Sequence, residues 1–220
     1  MSRFLTSILA LAVLGVASTV SAAPPAFGPL PTIDKNKKTD LKFRVVEYKG
    51  GTNGKMIVEV RNDGAKSEDF QAKGLYFVPK GDPDKAPQRL GAAGPFRAKD
   101  GEKWKRLEGL KVKPNQVVRL ELDVFCIDSH RGSPSSKTQF DFADVRMPAE
   151  LSKQIDKGTK ALMKAKKVGN ALSAKSEVQG YIWKTRDKKW IKLQGERKNE
   201  KSNKGRRQLQ RRIPNQRQHR

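Results

Sequence analysis

The chain has one cysteine, Cys126, in the string Phe125-Cys126-Ile127-Asp128-Ser129-His130. Asp128 and His130 follow it at alternate positions, which puts a thiol, a carboxylate and an imidazole on one side of an extended segment. Three chemistries use such groups. A metal site is the first, but the only other histidine is His219, close to the C-terminus, so a zinc site of His and Cys ligands lacks its donors. A nucleophile with its base is the second. Cys126 and His130, four residues apart at a strand end, are badly placed for that. Carboxylates are scattered, no acid/base pair stands out, and no glycine-rich phosphate loop is present, all of which argues against an ordinary hydrolase. No catalytic residue, metal or cofactor is expected. The third chemistry is that of the thiol alone. A free cysteine on an apolar face is commonly a small, inert core residue.

The elements that position Cys126 are legible from alternation. Lys113 to Asp128 reads KPNQVVRLELDVFCID. Pro114-Asn115 makes a turn. Val118, Leu120, Leu122, Val124 and Cys126 then share one face, and Arg119, Glu121 and Asp123 the other. That is a strand with one wet side, and it turns the thiol inward. Earlier, LKFRVVEY (41–48) and KMIVEVRN (55–62) flank the glycine-rich turn 50–54 as a hairpin. GLYFVP (74–79), WKRLEGLKV (104–112) and QFDFADV (139–145) read as further strands. Leu151, Ile155, Leu162 and Met163 recur at helical spacing and predict a helix over 148–167, with Gly158 as a weak point in its middle. Its lysines are expected to lie in water while the apolar side packs on the sheet. A second helix is predicted over 173–187, and WIKL (190–193) as a last strand. Short strands between turn signals predict a mainly β fold, an immunoglobulin-like β-sandwich with a helical segment after the last long strand.

The second helix gives the thiol a candidate partner. It carries Val178-Gln179-Gly180-Tyr181-Ile182-Trp183, in which Gln179 and Trp183 share a face. Together with Phe125-Cys126-Ile127 this resembles the thioester domains of bacterial surface adhesins, over about residues 116–193. In that family a cysteine sulfur and a glutamine side-chain carbonyl are joined covalently. The resemblance implies that Cys126 is the thiol and Gln179 the acyl donor. Phe125, Tyr181 and Trp183 would then shield the bond from water. Such a bond is an activated acyl group, which an amine on a target opens to an amide.

Export and charge complete the reading. Met1 to Ala22 has Arg3, then a mostly apolar run from Phe4 to Val16, then small residues ending at Ala22, the pattern of a signal peptide cleaved after Ala22. No other stretch is long and apolar enough to span a membrane. Residues 23–40 are rich in proline and lysine and are expected to be an extended linker. Residues 41–195 form the folded body. The tail 196–220 holds ten Lys/Arg against two Glu and is expected to be disordered. The whole chain carries 47 Lys/Arg against 23 Asp/Glu, a net charge of +24. For an exported chain the fitting polyanions are envelope polysaccharides or anionic lipid surfaces, and no specific nucleic acid is expected. The expected role is a secreted or envelope-bound cationic binding module, not an enzyme. Covalent attachment through Cys126 and Gln179 is the alternative.

Overall fold

The computed structural model describes residues 25–34, 36–50, 54–167, 171–189 and 191–198. The predicted signal peptide and the tail beyond Lys198 lie outside the described residues. Alternating segments pair as expected. β2 (Leu41–Lys49) and β3 (Lys55–Asn62) form an antiparallel hairpin, with Val45 opposite Val58. The register slips between Val45 and Glu47, so Leu41, Phe43 and Val45 face inward and, past the bulge, Tyr48 does too. β3 pairs next with β9 (Val117–Cys126), Val58 opposite Leu120. The predicted turn before β9 is present: Asn115 takes the left-handed backbone, φ 58°, and its N–H donates to Asn62 O at 2.9 Å.

The sheet continues beyond β9 through a strand absent from the sequence reading. β6 (Leu90–Asp100) lies between β9 and β5 (Tyr76–Pro79), and β10 (Phe140–Phe142) closes the far side. β7 (Lys103–Leu107) pairs back on β6. β4 (Glu68–Phe70) and β8 (Leu110–Val112) form a separate two-stranded sheet, so 104–112 is two strands and not one. β1 (Gly28–Pro29) pairs with β2, and Leu30 is buried, so the lead-in expected as a linker belongs to the sheet. The order β1-β2-β3-β9-β6-β5-β10 is antiparallel throughout. The sheet curls until β10 meets β2, Phe142 packing edge-on against Phe43 with ring centroids 5.1 Å apart. The protein is thus mainly β, a curled antiparallel sheet with two helices late in the chain.

The inner face encloses a core of Phe43, Phe70, Phe77, Phe96, Leu120 and Leu122, all solvent-free. A second core lies on the opposite face, under α1 (Ala149–Lys167) and α2 (Ala171–Lys189). Leu151 and Ile155 of α1 are fully buried there, whereas Met163, expected on the same stripe, is 39% exposed. α1 also packs against α2, Gly158 lying next to Val178. Gly158 explains its own presence: a Cβ there would lie 2.2 Å from Val178 Cγ1, so the helices cross too closely for a side chain. Of the predicted strand at 190–193, Trp190 lies outside the described residues and 191–193 is irregular. Among the described residues no helix is long and apolar enough to cross a membrane.

Candidate functional site

Cys126 is the last residue of β9, and its two backbone edges meet different partners. The N–H of Ile127 donates to Arg89 O at 3.0 Å, on the β6 side. The N–H of Val124 donates to Gly54 O at 3.2 Å, just before β3 begins. Two residues on, Cys126 faces that same side, past the start of β3. The side-chain amide of Gln179 meets it on that side. Its Oε1 accepts from the Cys126 N–H at 3.1 Å, and its Nε2 donates to the Cys126 carbonyl oxygen. Two residues 53 apart in sequence thereby meet through a paired hydrogen bond.

The thiol follows the inward register. Cys126 is half-buried, forms no disulfide and packs on the inner core beside Val124. Tyr48 lies close by; burial pushes its pKa up to about 12, and the proximity of Cys126 adds to the rise. Phe125 faces the opposite way, 2% exposed, into the core beneath the helices. There it joins Ile127, Val178 and the fully buried Ile182.

The register of α2 over β9 is set by a polar stripe. Gln179, Trp183, Arg186 and Asp187 recur at spacings of four, three and one, which keeps them on one helix face. Trp183 Nε1 donates to Gln88 Oε1 at 3.1 Å. Ser129 Oγ donates to Asp187 Oδ2 at 2.7 Å. Arg186 Nε donates to Asp128 Oδ1 at 2.9 Å. Trp183, expected to shield the pair, is half-buried and bonded to Gln88. Tyr181 does not: it lies off this stripe, 54% exposed, and Ile182 fills the space beneath the helix.

Asp128 is the centre of the stripe. Its carboxylate accepts from Arg89 Nε and Nη2, each at 2.7 Å, and from the Arg89 backbone N–H at 3.0 Å. Arg89, Asp128 and Arg186 side chains are all solvent-free. Burial alone would push the Asp128 pKa up, but the Arg89 hydrogen bonds and the charges of Arg89 and Arg186 hold it below the ordinary carboxylate value. The same arginines bind the chain after α2. Arg186 Nη1 donates to Ile191 O at 2.8 Å and Arg89 Nη1 to Gln194 O at 2.9 Å. Glu196 Oε1 accepts from Arg186 Nη2 at 2.8 Å and from the Leu193 N–H at 3.1 Å. These contacts replace the strand expected at 190–193. They also draw Glu196, expected to open the disordered tail, into the body.

Asp128 is therefore committed to arginines and is not a metal ligand beside Cys126 and His130. Among the described residues no group of three His, Cys, Asp or Glu is placed to hold a metal ion. Sequence reasoning brought out Cys126 and Gln179, weighed Asp128 only as a metal ligand, and missed Arg89, Arg186 and Glu196. A signal was available: Asp128 follows Cys126 by two residues and Arg186 follows Gln179 by seven, offsets that keep each in phase with its neighbour. Chemically, the Cys126 N–H polarises the Gln179 carbonyl, where negative charge would develop if a thiolate attacked the amide carbon. No protein-family model, curated protein or solved structure matches the chain.

Proposed function

We propose that this is an exported surface protein that attaches to its target through an internal thioester between Cys126 and Gln179. The observation that carries the reading is the hydrogen bond from the Cys126 N–H to Gln179 Oε1, 3.1 Å. It holds the acyl group at the residue that bears the thiol and supplies an oxyanion donor before any bond forms. In the forming step the Cys126 sulfur attacks the Gln179 carboxamide carbon. The carbon–nitrogen bond breaks, the thiol proton passes to the departing nitrogen, and ammonia leaves. In the second step an amine of the target attacks the thioester carbon. An amide forms, the carbon–sulfur bond breaks, and a proton from the amine returns to sulfur. The thiol packs on the sheet's inner core, and storing the bond requires that water be kept from it.

Intact mass tests this directly. Freshly purified chain is expected one ammonia lighter than its sequence, and Cys126→Ala is expected at full sequence mass. Methylamine should add its own mass to the lighter species and free one titratable thiol. Full mass with a reactive thiol in untreated protein would refute the reading and leave Gln179 as a hydrogen-bonded cap on the end of β9.

A second reading rests on charge. The excess of 47 Lys/Arg over 23 Asp/Glu suits association with anionic polysaccharide or lipid. Retention on heparin across a salt series, with and without residues 199–220, tests it. Removing the tail is expected to weaken retention and flatten its salt dependence. An unchanged slope would exclude the tail as the binding element.

A further inference from the structure

Away from Cys126, a groove of about 950 Å³ lies between the lead-in and the segment that opens α1. Its walls are aliphatic: Pro29, Pro31, Ile33, Val145, Met147 and Pro148. Ile33 and Val145 are 60% and 46% exposed, so apolar surface faces solvent on both sides. Between them sits Arg146. Its Nε donates to Pro31 O at 2.7 Å, and its Nη1 donates to Gln71 O at 2.8 Å and to Lys73 O. All three acceptors are backbone carbonyls. Among the described residues no carboxylate pairs with it, and burial alone lowers its pKa to about 10.

The groove therefore holds a partly desolvated cation with no carboxylate paired to it among the described residues. Four cations line it, Lys37, Lys38, Lys73 and Arg146, against Asp40 and Asp144. Lys73 is paired with Asp156 at 3.1 Å. Two more acids, Glu68 and Asp69, border an adjoining hollow that Arg146 also lines, and Glu68 is taken up by Thr39 and the Asp40 N–H. Main-chain donors are also open. The backbone N–H groups of Thr32, Ile33 and Val145 make no hydrogen bond among the described residues. No lining residue is aromatic, which disfavours stacking against a sugar ring.

We infer that this groove binds the C-terminal end of an extended peptide, its terminal carboxylate at Arg146 and an aliphatic last side chain between Ile33 and Val145. A guanidinium and free backbone N–H groups are the usual means of holding a carboxylate. The aliphatic walls select the side chain, and the open N–H groups of the lead-in serve the peptide main chain, for which an acyl chain has no use. This inference does not depend on the thioester.

Calorimetric titration of the purified chain tests it with three probes: N-acetyl-Ala-Val-Leu as the free acid, the same peptide amidated, and octanoate. The free acid is expected to bind, and amidation to weaken it by at least about tenfold, the size of a charge-assisted hydrogen bond. Val145→Asp, an exposed change that leaves both cores intact, should abolish binding without altering the thermal midpoint. Arg146→Gln should erase the difference between acid and amide. Equal binding of acid and amide, or binding of neither, overturns the inference. Octanoate binding where the peptide does not bind overturns it in favour of a lipid-like carboxylate.

Discussion

The inner core of the sheet and the seam between β9 and α2 are equally dry but are held in opposite ways. The core is built of rings and branched chains. Phe43 stacks near Phe70 and Phe77, and Leu120 and Leu122 fill the face beside them. Such contacts are non-directional and yield gradually to substitution. The seam is built of Asp128 between two solvent-free arginines. Its attraction is directional, and losing one partner leaves an uncompensated charge. The core therefore stabilises the sheet in bulk, while the seam decides where along β9 the second helix sits. That placement brings Gln179 to Cys126.

The contrast can be broken most severely at Asp128. Asp128→Asn is expected to cost about 3–5 kcal/mol, because Arg89 and Arg186 stay buried without their counter-charge. Chemical denaturation followed by far-UV circular dichroism reads it; a loss below about 1 kcal/mol would remove the seam as the determinant of helix position. Acid does the same reversibly. The Asp128 pKa is lowered in the folded state, so its contribution is fully present above the ordinary 3.8 and is lost as pH falls through the folded value. Helical signal should decline over that range before the near-UV signal of the core rings. Simultaneous loss would show that sheet and helices unfold as one unit.

Leu120→Ala probes the other side of the comparison and is expected to cost about 2–5 kcal/mol by cavity formation. It should lower both signals together and leave their pH dependence unchanged. Gly158→Ala comes next, at about 1–3 kcal/mol, since its Cβ would lie 2.2 Å from Val178 Cγ1. Val178→Ala should relieve part of that cost in the double variant, and no relief would place the clash elsewhere. The smallest effect is expected on the wet face. Arg44 pairs with Glu59 at 2.6 Å and lies 4.3 Å from the Phe27 ring, yet both charged groups stay in contact with solvent. Arg44→Ala should cost less than about 1 kcal/mol, and less still at high salt.

How much of this was legible follows the same division. β2, β3 and β9 alternate, each having one wet and one dry face, and α1 shows in the 3.6-residue recurrence of its apolar residues. β6 does not show, although it is central. Its Leu-Gly-Ala-Ala-Gly-Pro run looks like a loop because its residues must be small: a Cβ on Gly91 would lie 2.5 Å from Ile155 Cδ1, and one on Gly94 2.9 Å from Asp156 Oδ1. The helix packed above selected those residues, and no local pattern records that. Residues 191–193 were misread for the converse reason. Ile191 and Leu193 look like strand residues, but their backbone groups are bound by Arg186 and Glu196.

By itself, the amino-acid sequence determined the inward face of Cys126, the shared face of Gln179 and Trp183, and the strongly positive charge. Each depends only on residue type and near-neighbour spacing. The tertiary structure alone decided that Gln179 meets Cys126, that Asp128 serves arginines and not a metal, and that Arg146 lies in a groove with no carboxylate paired to it among the described residues. These depend on how deeply distant charges are buried and which of them meet, and burial belongs to the assembled layers rather than to any one segment.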